Sequence, residues 1–200
     1  MISNRYPQPQ ALTDLWEQQW PVCPPMAHLL RSRYPDRWVR FHSLPGSKRY
    51  PENEGEYGTV LDRHYTVLDQ LGAGPVVLVI TTEWTDTEEL TPQRWPRRAE
   101  IAPRAHHWRT FIEDPTDEPE DRIYQQLYVE ALQWTPRCID GLLRAVADDE
   151  LANVMLAPAD LRWLYHPYDG GADVILPTRE QRDELKHRHR DWLSDHPSGL

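Results

Sequence analysis

His166, Tyr168, Asp169 and Asp173 crowd into the stretch Arg162-Trp163-Leu164-Tyr165-His166-Pro167-Tyr168-Asp169-Gly170-Gly171-Ala172-Asp173-Val174-Ile175-Leu176. Around one tight turn, His166, Asp169 and Asp173 offer nitrogen and oxygen donors for a polar ligand or a hard cation. The same residues have a plainer use. Asp169 suits a turn that hydrogen bonds its own backbone, and Asp173 suits a pairing with an arginine or a capped amide. The structural use ranks first, ligand contact second, and no metal or other cofactor is expected.

Trp38-Val39-Arg40-Phe41-His42-Ser43-Leu44 alternates, which puts Trp38, Arg40, His42 and Leu44 on one face of a half-buried strand. An arginine beside bulky apolar residues needs a carboxylate, and Asp173 is the natural partner. The pair is then an internal clamp or, with His42, an anion site. His106 and His107 project to opposite faces of a strand, the wrong geometry for chelating one ion. Lys186 to Arg190 carries a basic patch that a final helix spreads around its cylinder as a solvated face.

Six carboxylates, Glu113, Asp114, Asp117, Glu118, Glu120 and Asp121, fall between residues 113 and 121. They read as a solvated linker and, functionally, as a steering patch for a protein with a basic surface. Calcium loops space their ligands differently and place a glycine at the turn, so none is assigned. The serines stand in no nucleophile elbow, and Cys23 and Cys138 lack a surrounding motif, so no catalytic residue is named. The two thiols are expected to be reduced and structural.

The elements that must position these residues follow from periodicity. Asp169-Gly170-Gly171 separates two aromatic and β-branched runs, and the glycines are expected to supply the positive φ of a tight hairpin. Thr178-Arg179-Glu180-Gln181 then opens a last helix with Leu185, His189, Trp192 and Leu193 as its buried stripe. Thr13 caps a first helix running to Trp20, and a second spans Met26 to Tyr34. From Glu54 to Leu71 apolar residues recur at three and four, with Gly72 as the C-terminal cap. Val76 to Thr82 is an unbroken apolar run, the mark of a central strand covered on both faces. Strand, helix, strand in this order suggests a right-handed crossover.

Residues 86–103 read as an irregular loop with one helical turn, and His106 to Ile112 as a strand. Ile123 to Trp134 fits a long strand, and helix also fits it. Thr135-Pro136 opens a helix with the stripe Ile139, Leu142, Leu143, Val146 and Leu151, and Asn153 to Leu156 is a short strand. The expected fold is α+β. It is a single layered domain, a mixed, mostly antiparallel sheet with helices packed on it, and a C-terminal hairpin followed by a helix. Residues 1–36 form a helical N-terminal segment and 37–196 the α+β core.

The chain has 200 residues, 32 acidic against 22 basic side chains and a formal net charge of −10. That balance opposes a grip on phosphate backbones, so no nucleic-acid partner is expected. No apolar run spans a bilayer and the first residues lack a signal-peptide core, so the expectation is a soluble, cytoplasmic chain without a membrane partner. Nine Trp and nine Tyr against two Phe supply large contact areas with polar handles, suited to interfaces as well as cores.

Trp38-Val39-Arg40-Phe41, the helix with Arg63 and Leu68, the strand Val76 to Ile80, and Tyr168-Asp169-Gly170-Gly171-Ala172-Asp173-Val174-Ile175 before a helix ending in Trp192-Leu193 together resemble a bacterial family catalogued only as a domain of unknown function. Its members pair an early Arg-Phe strand with a late Tyr-Asp-x-Arg-Gly-x-Asp-Val-Ile hairpin. The resemblance covers about Trp38 to Asp195, and here, counting back from Asp173-Val174-Ile175, Gly170 stands where the family carries Arg. It implies no activity. Small acidic proteins encoded beside bacterial toxins that act as immunity proteins offer a loose analogy.

The function read from the sequence is therefore a non-enzymatic protein-binding module, with an immunity-type role as its sharpest form. The alternative is a small enzyme or ligand-binding domain using the Trp38–Leu44 strand and the Tyr168–Asp173 hairpin.

Overall fold

A computed structural model describes residues 8–90 and 96–195. In chain order it contains α1 (Pro9–Gln19), α2 (Ala27–Arg33), β1 (Trp38–His42), α3 (Glu54–Gln70), β2 (Val76–Thr85), α4 (Pro96–Ile101), β3 (His106–Ile112), β4 (Tyr124–Gln133), α5 (Asp140–Ala147), β5 (Met155–Pro158), β6 (Leu164–Tyr168), β7 (Gly171–Ile175) and α6 (Arg179–Arg188). The seven strands form one open sheet ordered β1-β7-β6-β5-β2-β4-β3. All neighbouring pairs run antiparallel. The fold is α+β as expected. β1 and β2 point the same way but three strands lie between them, so α3 bridges most of the sheet instead of closing a compact crossover.

Periodicity assigns the two faces. Val77 and Val79 of β2 join Val39, Phe41, Tyr165, Ala172 and Val174 under α3, α5 and α6. Leu78 and Ile80 turn the other way, to a second core with Trp16, Trp20, Leu30, Leu164 and Ile175 under α1 and α2. The apolar run in β2 is thus covered on both faces, and 123–134 resolves as strand, pairing with β2 through ten residues. Asn53 caps α3 by accepting from the Glu56 amide, and Gly72 leaves it at φ +68.

Three local expectations are corrected. The hairpin glycines have no positive φ. Gly171 is required because β1 comes so close that a Cβ there would sit 2.0 Å from the Phe41 carbonyl oxygen. α1 starts four residues before Thr13, with proline in its first turn, and the Thr13 hydroxyl donates to the Pro9 carbonyl from inside the helix. α5 starts at Asp140, not at Thr135-Pro136, because Arg137 takes φ +62 and a left-handed residue stops helix propagation.

The strand directions gather several loops at one end of the sheet, called here the upper end. These are the segment after β1, the 86–90 segment after β2, the 113–123 connection from β3 to β4, the segment before β5, and the β6–β7 turn. β1 is an edge strand, and its Trp38 and His42 carbonyls accept from Arg182 at 3.3 Å and Arg63 at 2.7 Å. Those two arginines guard the edge against strand addition.

Candidate functional site

The register brings the hairpin candidates into rows. Arg40 faces Asp173 on β7, which faces His166 on β6, and His42 lies across Gly171 from Tyr168. Arg40, His42, His166, Tyr168 and Asp173 therefore share the α1/α2 face, because their strand neighbours Phe41, Tyr165, Ala172 and Val174 fill the opposite core. Within the row the polar groups engage one another. Arg40 donates through Nε and Nη2 to the two Asp173 oxygens at 2.7 and 2.8 Å, and the Trp38 indole donates to Oδ1 at 2.9 Å. The guanidinium carbon sits 4.6 Å over the Tyr168 ring. Asp173 is only 4% exposed. This is a satisfied clamp of the bidentate kind.

The protonation behaviour matches a packed site. Burial alone would lower the Arg40 pKa, yet the hydrogen bonds and charge of Asp173 outweigh it and hold it above the ordinary value. Burial pushes the Tyr168 phenol up to about 12. Burial lowers His42, helped by the charge of Arg40, and also lowers His166. His166 donates through Nδ1 to the Val154 carbonyl at 2.8 Å, and His42 Nε2 is buried without a partner among the described residues. Asp169 stands apart at the turn. Its carboxylate pairs with Arg49 Nε at 2.5 Å and stands beside the Tyr50 phenol, whose pKa it holds above the ordinary value.

One polar cluster has no signal in the sequence. Ser43 Oγ lies 3.3 Å from His64 Nε2, and His64 Nδ1 lies 2.6 Å from the Tyr165 hydroxyl. Burial drives the His64 pKa down to about 4, so the ring is neutral and links two hydroxyls. The void beside it measures about 10 Å³, room for about one water and no substrate. The cluster is built like a core network, not a reaction centre.

The upper end carries a different kind of surface. Trp84 at the end of β2 is 48% exposed, Leu90 just beyond it 53%, and Ile123 at the start of β4 40%. Trp84 pairs across the sheet with Gln125, and Gln125 with Phe111. Immediately beside them runs the 113–121 segment. Glu113 accepts from Gln125 at 2.7 Å, and Asp114 accepts from the Thr116 amide and hydroxyl, which holds its pKa below the usual carboxylate range. Among the described residues none of Glu113, Asp114, Asp117, Glu118, Glu120 and Asp121 forms an ion pair. Beneath, on the other face, the buried pair Arg98 and Glu83 and the Glu130 acceptor of Arg104 at 3.2 Å hold α4 and its flanking segment to the sheet.

Sequence reasoning assigned the acidic segment to a partner but not Trp84, Leu90 or Ile123. Their signal is that large apolar side chains continue past the end of the apolar run in β2 and before that in β4. Among the described residues no group of three His, Cys, Asp or Glu side chains is placed to hold a metal ion, and no helix is long and apolar enough to cross a membrane.

No curated protein matches the chain, and no solved structure matches it. A family model does match, over residues 26–197, and its boundaries take in the whole sheet with α2 to α6 while leaving out α1. The chain belongs to the family described as a domain of unknown function, DUF3885.

Proposed function

We propose that the domain is a non-enzymatic protein-binding module, and that its upper end receives a partner with a basic surface. The observation that carries this reading is the exposure of Trp84, Leu90 and Ile123 beside carboxylates that form no ion pair among the described residues. Large exposed apolar side chains supply contact area, and a neighbouring field of one sign steers an oppositely charged protein and selects its orientation. An immunity-type role, with a basic toxin domain as the partner, is the sharpest form of the proposal. Both cysteines are free, which suits the cytoplasmic location that belongs to this proposal.

The alternative use of the Trp38–Leu44 strand and the hairpin as a ligand site draws less support. Arg40 and Trp38 already donate to Asp173, and a ligand would have to compete with a bidentate pair. The test is crosslinked affinity capture from the native host with three baits: the parent chain, Trp84→Ala/Ile123→Ser, and a chain with the six carboxylates of 113–121 changed to amides. The expected result is one stoichiometric cationic protein held by the parent and lost by both variants. Absence of a stoichiometric partner, or equal capture by all three, overturns the proposal.

A further inference from the structure

At the upper end the sheet has a gap. A cavity of about 170 Å³ is lined by Thr82, Glu83 and Trp84 of β2, by Arg98 of α4 and by residues 149–153 before β5. Thr82 and Trp84 follow Leu78 and Ile80 to the α1/α2 face, and Glu83 follows Val77 and Val79 to the other. A hollow that touches all three therefore lies at the edge of β2, in the plane of the sheet.

Register shows what belongs in that place. The Pro75 carbonyl accepts from the Trp134 amide at 2.9 Å. Alternation along an antiparallel ladder then turns the main-chain groups of odd-numbered β2 residues to β4 and those of even-numbered residues to the β5 side. Leu78 and Ile80 meet Ala157 and Met155, and there the pairing with β5 ends. The next pair would be Thr82 with Asn153, but Asn153 takes φ +54 and leads the chain out of the strand. β2 runs on to Thr85, held through this upper half by β4 alone. Among the described residues the main chains of Thr82 and Asn153 make no hydrogen bond across the gap. Arg63 and Arg182 close the edge of β1 in this situation, whereas no side chain of the described residues bonds to the half-buried Thr82 main chain.

We infer that an extended segment of the cationic partner joins the upper half of β2 as a short antiparallel strand, bonded to the main chain of Thr82. Such an addition takes affinity from main-chain hydrogen bonds and specificity from alternate side chains. Charge selects those side chains. Arg98 pairs with Glu83, and Arg97 with Glu150 at 2.7 Å, which leaves Asp149 as a carboxylate of the gap in no ion pair among the described residues. Gln125, opposite Trp84 on β4, holds Glu113 of the acidic segment. A lysine or arginine at either end of the added strand therefore has an acidic neighbour. Strand addition presupposes the docking role proposed for the upper end and gives the form in which the partner is held.

The probe is an acetylated, amidated heptapeptide of alternating valine and threonine with a lysine at each end. Its comparison is the same peptide N-methylated on every inner amide, which keeps the side chains and charge but removes the donors of both edges. Saturable binding of the first peptide is expected, with a shift and slowed hydrogen exchange at the Thr82 amide in ¹⁵N–¹H spectra. N-methylation should weaken it about tenfold or more, the effect of losing two main-chain hydrogen bonds. Thr82→Pro, which deletes a donor that β4 does not use, should weaken it likewise at a melting temperature near the parent's. Equal binding of the two peptides, or unchanged exchange at Thr82, overturns strand addition and leaves side-chain docking at Trp84 standing. No saturable binding of the unmodified peptide up to about 10 mM overturns it as well. Failure of the docking role itself shows differently, as a capture from the host that yields no stoichiometric partner.

Discussion

Replacing Asp173 with alanine removes the acceptor of three hydrogen bonds at once, two from Arg40 and one from the Trp38 indole. The Arg40 side chain is 14% exposed, so water can reach only part of the stranded guanidinium. Breaking a buried ion pair from one side typically costs about 3–5 kcal/mol, against a total domain stability of about 5–15 kcal/mol. For a chain of this length, each kcal/mol lowers the melting temperature by about 2–4 °C, so Asp173→Ala should melt about 6–20 °C below the parent. Thermal and urea unfolding followed by circular dichroism measure this, the urea midpoint falling while the slope holds. The double change Arg40→Met/Asp173→Leu should unfold above either single change, because apolar replacement of both partners removes the stranded charge. If Asp173→Ala melts within a degree or two of the parent and instead loses binding of a ligand, the clamp account is refuted and the hairpin is a site.

Three further outcomes follow from the same geometry. His64 has a folded pKa of about 4 against 6.5 when unfolded, so its neutral form is favoured by folding. Stability is complete above pH 6.5 and falls as the pH drops toward 4, by about 3 kcal/mol for this one group; pH-dependent melts of the parent and of His64→Gln should differ in slope across that window, and parallel curves would contradict it. Gly171→Ala should cost about 3 kcal/mol or more by forcing β1 off β7, whereas Gly170→Ala meets side chains alone, the edge of the Tyr168 ring at 3.0 Å and Arg49 Cγ at 3.5 Å, and should cost under about 1 kcal/mol; equal melting temperatures would sink the close-approach argument. Cys23 is 4% exposed and burial pushes its thiol up to about 11, so a thiol reagent at pH 8 should label Cys138 well before it; simultaneous labelling would contradict that burial.

Much of the fold was legible because periodicity encodes which face a residue takes. The apolar run of β2, the α3 stripe with Gly72, and the β6–β7 hairpin were all readable, as was the pairing of Arg40 with Asp173. Periodicity does not encode which strand lies beside which, so the places of β5, β2, β4 and β3 in the sheet, and its purely antiparallel order, had to come from the structure. Helix starts failed where a local conformation overrode a capping pattern, at Arg137 and at Thr13. The Ser43, His64 and Tyr165 cluster was invisible because its members stand 21 and 101 residues apart and match no motif. Trp84 and Ile123 were hidden for a related reason: a sequence shows that a side chain is large and apolar, not that its strand has outrun the helices covering the sheet.

The claim that the upper end is a docking surface is tested most directly by ¹⁵N–¹H spectra of the chain titrated with an arginine- and lysine-rich peptide carrying one leucine, at low and at high salt. The account predicts perturbations confined to Trp84, Leu90, Ile123 and residues 113–121, an affinity that falls as salt rises, and a loss of binding in Trp84→Ala at unchanged melting temperature. Perturbations spread over the molecule or centred on α6, or binding indifferent to salt and to Trp84, would contradict it.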